Sequence, residues 1–194
     1  MTNGSSIYGS PESIREELKN TEFGAHHLIV YPDLDALRKV YSHYINDALN
    51  VKNETVIVLP FFETTDTVRS ALRESEFDMD VRKHEKQRSL VVMDSLKGYF
   101  GSPEGVWPLI KQALEHAKTS GKTGVSVFGD AGSFFYDHKD NDLMKYELSL
   151  PSEYDSNLKT FCLYHKREFD LRLTEQQRQK LLEHHGKNMI IAAS

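Results

Sequence analysis

His26-His27-Leu28-Ile29-Val30-Tyr31-Pro32-Asp33-Leu34 holds an apolar run, a stop and a helix start within nine residues. Pro32 cannot continue a hydrogen-bonded ladder, and Asp33 stands where a helix N-cap belongs, its carboxylate able to accept an orphan backbone N–H. Beyond it Leu34, Leu37, Val40, Tyr41, Tyr44, Ile45, Ala48 and Leu49 recur at the three-and-four spacing of one helix face. Asp35, Arg38, Lys39 and Asp47 fall mainly on the other face. Asn50 to Asn53 closes the helix, and Glu54-Thr55-Val56-Ile57-Val58-Leu59 reads as the next strand. Two strands without strict apolar and polar alternation, joined by a helix, predict an α/β fold. It is expected to be a three-layer arrangement, with a mostly parallel central sheet carrying helices on both faces. Such sheets bind ligands outside the carboxyl ends of their strands.

The same plan extends along the chain. Residues 1–20 are expected to be a flexible N-terminal segment, with a short helix opening at Pro11 and running to Lys19, and residues 21–194 to form a single domain. After the second strand, Pro60 to Thr65 is a turn, and Asp66 or Thr67 begins a helix carrying Val68, Ala71 and Leu72. Phe77 to Lys86, with Val81, is read as a short edge strand, Ser89 to Asp94 as a clearer one, and Gly98 to Pro103 as a loop. Glu104 to Lys118 is helical and ends at Gly121 as a left-handed cap would. Gly124 to Phe128 is a strand, Gly129 to Tyr136 a glycine-bracketed loop rich in aromatics, and Asp142 the cap of a helix whose inward face holds Leu143, Tyr146, Glu147 and Leu150. Thr160 to His165 is a strand. Thr174 and Gln177 make a capping box for a helix reaching His184 or His185, and Met189 to Ala193 is the last strand.

With 24 basic against 29 acidic residues and a net charge of −5, the chain has no electrostatic footprint for nucleic acid or an anionic membrane. A lone Cys162 excludes an intrachain disulfide framework, Met1 to Asn20 lacks the apolar core of a secretory signal, and no apolar run approaches the roughly 20 residues needed to span a bilayer. The expected compartment is the cytoplasm.

Several constellations resemble chemistry without meeting its requirements. Gly121-Lys122-Thr123 looks like the end of a phosphate loop, but His116 stands where the first glycine belongs, and a helix precedes the tripeptide while a strand follows. Cys162 and His165 lie on opposite faces of one strand and cannot easily form a nucleophilic dyad, so a buried, inert thiol is expected. The pairs His26-His27 and His184-His185 diverge in direction, and with the couple Asp137-His138 they offer no metal-ligand spacing, so neither metal nor cofactor is expected.

Asp94 and Asp130 end apolar strands and Glu147 faces inward. Together with Tyr31, Phe61, Phe62, Phe134, Phe135, Tyr164 and His165 they are the candidate ligand-binding residues. An aromatic pocket with few polar groups suits a small, mostly apolar molecule. Packing of those same aromatics as core and lid is the competing reading. The Gly129 to Tyr136 loop is the expected moving part.

The order and spacing of His26/His27 with Tyr31, the helix ending at Leu49, Glu54 to Val58, Val81, Leu90 to Asp94, Gly129-Asp130, Tyr146-Glu147, Phe161 to Tyr164 and His184/His185 with Met189-Ile190 resemble the MEDS domain over about residues 23–193. That domain is the sensory unit shared by methanogen and methylotroph signalling proteins and the dichloromethane-responsive repressor. The resemblance implies a degenerate RecA-like fold of the circadian-clock ATPase type, a role in signal transduction and transcription regulation, and sensing of small hydrocarbon derivatives. Where such an ATPase carries its glycine-rich phosphate loop this chain has Tyr31-Pro32-Asp33-Leu34, without glycine or lysine, and Asp33 would repel a phosphate. Ser126 stands where the family's arginine is expected. The reading is therefore a non-enzymatic sensor that binds a small molecule and signals to a separate regulatory protein, with a homo-oligomer left open. The alternatives are a residual nucleotide-handling or hydrolytic enzyme using Asp94, Asp130 and Glu147, or a ligand-free interaction subunit.

Overall fold

A computed structural model of the chain describes residues 5–136 and 139–193. It opens with strand β1 (Ser5–Gly9) and helix α1 (Pro11–Lys19), capped by the Ser10 hydroxyl. The stretch quoted first folds as read: β2 (His26–Tyr31), then α2 (Leu34–Asn50) with the Asp33 carboxylate accepting from the Ala36 N–H at 2.8 Å, then β3 (Thr55–Leu59). There follow α3 (Thr65–Arg73), α4 (Val81–Lys86), β4 (Leu90–Val92), α5 (Ser95–Phe100) and α6 (Trp107–Thr119). The chain continues through β5 (Val125–Asp130), α7 (Gly132–Tyr136), α8 (Asp140–Ser149) and β6 (Leu158–His165). It ends with α9 (Lys166–Arg172), α10 (Glu175–His184) and β7 (Lys187–Ile191).

The strands form one seven-stranded sheet in the order β1-β7-β2-β6-β5-β3-β4, and every ladder is parallel. Alternate residues of each strand serve opposite faces. Ile29, Tyr31, Val56, Val58, Phe128 and Phe161 pack with residues of α1 to α4 on one face. On the other, Leu28, Val30, Cys162 and Tyr164 pack with α7 to α10, and Ile57, Leu59, Val125 and Val127 pack with α6. Burial on both faces explains why the inner strands read as continuous apolar runs. The fold is the expected α/β sheet with helices around it.

Several local expectations are corrected. Ser5–Gly9 is an edge strand paired to β7, where no strand was expected. Val81 begins a helix instead of an edge strand, because the Asp80 side chain accepts from Lys83 N–H and starts the turn. The first part of the Gly98–Pro103 stretch belongs to helix α5, capped by Asp94. There a Cβ on Gly98 would come within 3.1 Å of Leu59, so the glycine serves close packing. Asp142 lies inside α8 instead of capping it.

The Gly129–Tyr136 stretch is not an open loop either. Gly129 and Asp130 finish β5, and Gly132–Tyr136 is helical with Phe134 and Phe135 buried. A Cβ on Gly129 would meet the Tyr99 hydroxyl at 2.1 Å, and one on Gly132 would meet Phe62 at 2.5 Å. These glycines admit neighbouring rings. Their conservation of space replaces the hinge role read from composition.

Candidate functional site

The helices following β2 and β6 leave on opposite faces of the sheet, which makes the carboxyl ends of these adjacent strands the switch point where such sheets bind ligands. Tyr31, His165 and Asp130 meet there. The Tyr31 hydroxyl donates to Asp130 Oδ2 at 2.7 Å, the Gly132 N–H donates to Oδ1 at 2.8 Å, and the Tyr31 and His165 rings sit edge to face 5.3 Å apart. Phe62 lies 5.1 Å from His165, and Phe61 4.9 Å from Phe62. Burial pushes the Asp130 carboxyl up to about 7, against the lowering effect of its two donors. Five residues chosen from sequence, Tyr31, Phe61, Phe62, Asp130 and His165, thus form one cluster.

The others lie elsewhere. Asp94 is exposed and caps α5. Phe134 stacks on Tyr146 at 5.4 Å and contacts Tyr99 and Phe100, so it fills space instead of covering an opening. Phe135 is buried in the same layer. Among the described residues no hydrogen bond or ion pair joins any two of Asp94, Asp130 and Glu147. Ser126 is buried and donates to Glu54 Oε2 at 2.5 Å, while Lys159 Nζ reaches Glu54 Oε1 at 2.7 Å. The Gly121-Lys122-Thr123 turn is structural: Gly121 has φ +71°, and Lys122 and Thr123 bond back to Asn53 and Lys52.

Glu147 and Tyr164 belong to a second constellation, on the face covered by α8 and α10. The Tyr164 hydroxyl donates to Glu147 Oε1 at 2.8 Å. Glu147 Oε2 faces His26 Nε2 at 3.6 Å, His185 Nε2 at 3.5 Å and Cys162 Sγ at 3.6 Å. Cys162 Sγ in turn lies 3.4 Å from His26 Nε2. All four residues are buried. Burial pushes the Glu147 carboxyl up, but hydrogen bonds and positive charge from His185 and His26 outweigh it and hold the group well below the usual carboxylate range. Burial, then the Glu147 charge, pushes the Cys162 thiol well up. Cys162 is therefore buried as expected and has no dyad with His165, but its neighbour is a histidine from β2.

The sequence sets His26 and His185 aside because their adjacent pairs lack metal-ligand spacing, and Cys162 because it lies on the strand face opposite His165. Strand pairing brings them together: β2 lies beside β6 with His26 opposite Thr160 and Leu28 opposite Cys162, and His185 ends α10. Asp137 and His138, considered as a metal couple, lie outside the described residues.

Next to this cluster is a small cavity of about 20 Å³. Its walls include Tyr99, Val106, Trp107, Val127, Tyr154 and Cys162. That volume takes roughly one or two water-sized groups. None of the ten candidates named from sequence lines it. The cavity and the cluster share Cys162, and the Tyr154 ring lies 5.6 Å from that of His26.

A family model described as "MEDS: MEthanogen/methylotroph, DcmR Sensory domain" matches residues 25–181, most of the chain. No curated protein matches it. No described helix is long and apolar enough to cross a membrane.

Proposed function

The chain belongs to the MEDS family of sensory domains, and on that premise we propose that it is a non-enzymatic sensor that binds a small, hydrocarbon-derived molecule and reports it to a separate regulatory protein. The family match carries this reading. The aromatic-walled cavity supports it, because a mostly apolar space lined by one thiol and the hydroxyl-bearing Tyr99, Tyr146, Tyr154 and Thr160 admits small molecules of low polarity. A ligand larger than the cavity must displace a wall. Tyr99 is such a wall, and the next residue, Phe100, is 38% exposed, so displacement of α5 would alter the surface a partner reads.

A hydrolase built on Asp94, Asp130 and Glu147 is less well supported, because each carboxylate is tied to different partners. The test is thermal unfolding with one- and two-carbon halogenated and methylated compounds, using the wild type and Val127→Leu, which extends a side chain into the cavity. A ligand at 100 times its Kd adds about 2.7 kcal/mol, a rise of roughly 5 to 10 °C for a chain of this size. The rise should vanish in the variant. A rise that survives in Val127→Leu would move the ligand elsewhere, and no rise with any compound would remove the ligand-binding part of the proposal.

A further inference from the structure

His26 Nε2, His185 Nε2, Cys162 Sγ and a Glu147 carboxylate oxygen all lie within 4.8 Å of one another. Neither histidine side chain has any exposed surface. Their outer nitrogens are already committed: His26 Nδ1 is 2.9 Å from the Pro151 carbonyl, and His185 Nδ1 is 2.7 Å from that of Leu181. A carbonyl only accepts, so in each ring Nδ1 carries the proton, and in the neutral ring Nε2 presents a lone pair.

With both rings neutral, two imidazole lone pairs and a carboxylate oxygen converge with a single thiol proton among them. That proton can serve one acceptor. His185 Nε2 is buried and, as a lone pair 3.5 Å from a carboxylate oxygen, has no donor to accept from, which is costly for a polar atom in this position. A cation at the centre would satisfy all four groups at once.

We propose that His26, Glu147, Cys162 and His185 form a binding site for one divalent transition-metal ion of the zinc class. Bond lengths of about 2.0 to 2.3 Å at tetrahedral angles place ligand atoms roughly 3.3 to 3.7 Å apart. Four of the pairs in this cluster, at 3.4, 3.5, 3.6 and 3.6 Å, already have that spacing. Imidazole and thiolate donors with one carboxylate favour zinc-like ions over calcium or magnesium. Binding releases the Cys162 proton to solvent. The thiolate and the Glu147 carboxylate then balance the two positive charges, leaving a neutral centre that a buried site can hold. The surroundings suit the role as well: backbone carbonyls fix both rings, and Tyr164 fixes the carboxylate through its other oxygen. This site stands whether or not the neighbouring cavity takes a ligand.

The test uses the whole chain, freed of metal by chelation and loaded with Co²⁺ both in the native state and during refolding, since the site is closed to solvent. One cobalt per chain is expected, with a thiolate-to-cobalt charge-transfer band in the near ultraviolet and the strong visible bands of tetrahedral coordination. Zn²⁺ should displace it. Cys162→Ser should lose the charge-transfer band, Glu147→Gln should weaken binding at least tenfold, and His116→Ala, at a half-buried histidine on α6 outside the cluster, should change neither. Wild-type protein that shows no such band after refolding with Co²⁺ overturns the proposal, whatever the variants do. So does a band that persists in Cys162→Ser.

Discussion

The Tyr164 hydroxyl, from inside the sheet, donates to Glu147 Oε1 on α8 at 2.8 Å, and both residues are almost completely removed from solvent. This bond ties the helix layer to β6 through a charged acceptor. Tyr164→Phe keeps the ring and deletes only the donor. A buried hydrogen bond to a charged group contributes about 1.5 to 3 kcal/mol, so the variant should unfold roughly 3 to 12 °C lower at 2 to 4 °C per kcal/mol. Thermal unfolding followed by circular dichroism checks this. An unchanged midpoint would mean that water replaces the phenol.

Phe134→Ala should behave as a core substitution. Its ring stacks on Tyr146 and touches Tyr99 and Phe100, with 4% of the residue exposed. Removing a buried phenylalanine costs about 3 to 5 kcal/mol. A denaturant titration should show a loss of that size. A loss under about 1 kcal/mol would restore the lid reading, since a lid contributes little to the closed fold.

The parts of the fold that were legible in the sequence are those where one period dominates. Leu34 to Leu49 repeats at helical spacing for four turns, and β2, β3, β5 and β6 are apolar because both of their faces are covered. Shorter elements were misread where tertiary packing decides. Ser5–Gly9 has no apolar run because it lies at the edge, and it is a strand only because β7 offers it a partner. Gly129 and Gly132 suggested mobility, whereas the space they leave is taken by Tyr99, Phe61 and Phe62. Tyr31 and Asp130 were both legible as strand-end residues, because strand ends gather at a known edge, but the hydrogen bond between them was not. The His26, Glu147, Cys162 and His185 cluster was not, since it draws on four elements and its register depends on β2 lying beside β6.

Lys159 and Glu54 form an ion pair at 2.7 Å with 2% of each side chain exposed. Lys159→Met would leave the Glu54 carboxylate buried with, among the described residues, only the Ser126 and Tyr44 hydroxyls as hydrogen-bond partners. Breaking such a pair from one side costs about 3 to 5 kcal/mol, whereas replacing both partners is often close to neutral. Lys159→Met combined with Glu54→Gln should therefore recover most of the stability lost by Lys159→Met alone. Equal loss in the single and double variants would show that the lysine acts through its packing against Phe23 and Tyr44.

Asp130 makes stability depend on pH. Burial raises its carboxyl from 3.8 to about 7 in the folded chain, whereas the unfolded chain keeps the ordinary value. Between those values the folded state binds the extra proton, so stability falls as pH rises. The contribution is complete below about pH 4 and gone above about pH 7. At about 1.4 kcal/mol for each tenfold step, the whole effect is about 4 kcal/mol. Asp130→Asn carries no such proton, and the Tyr31 hydroxyl can turn to accept from the new amide. Urea unfolding of both proteins from pH 4 to pH 8.5 should show the variant gaining on the wild type across this window, by up to about 4 kcal/mol at the alkaline end. Curves that stay parallel would mean that Tyr31 and Gly132 hold Asp130 ionised throughout, despite its burial.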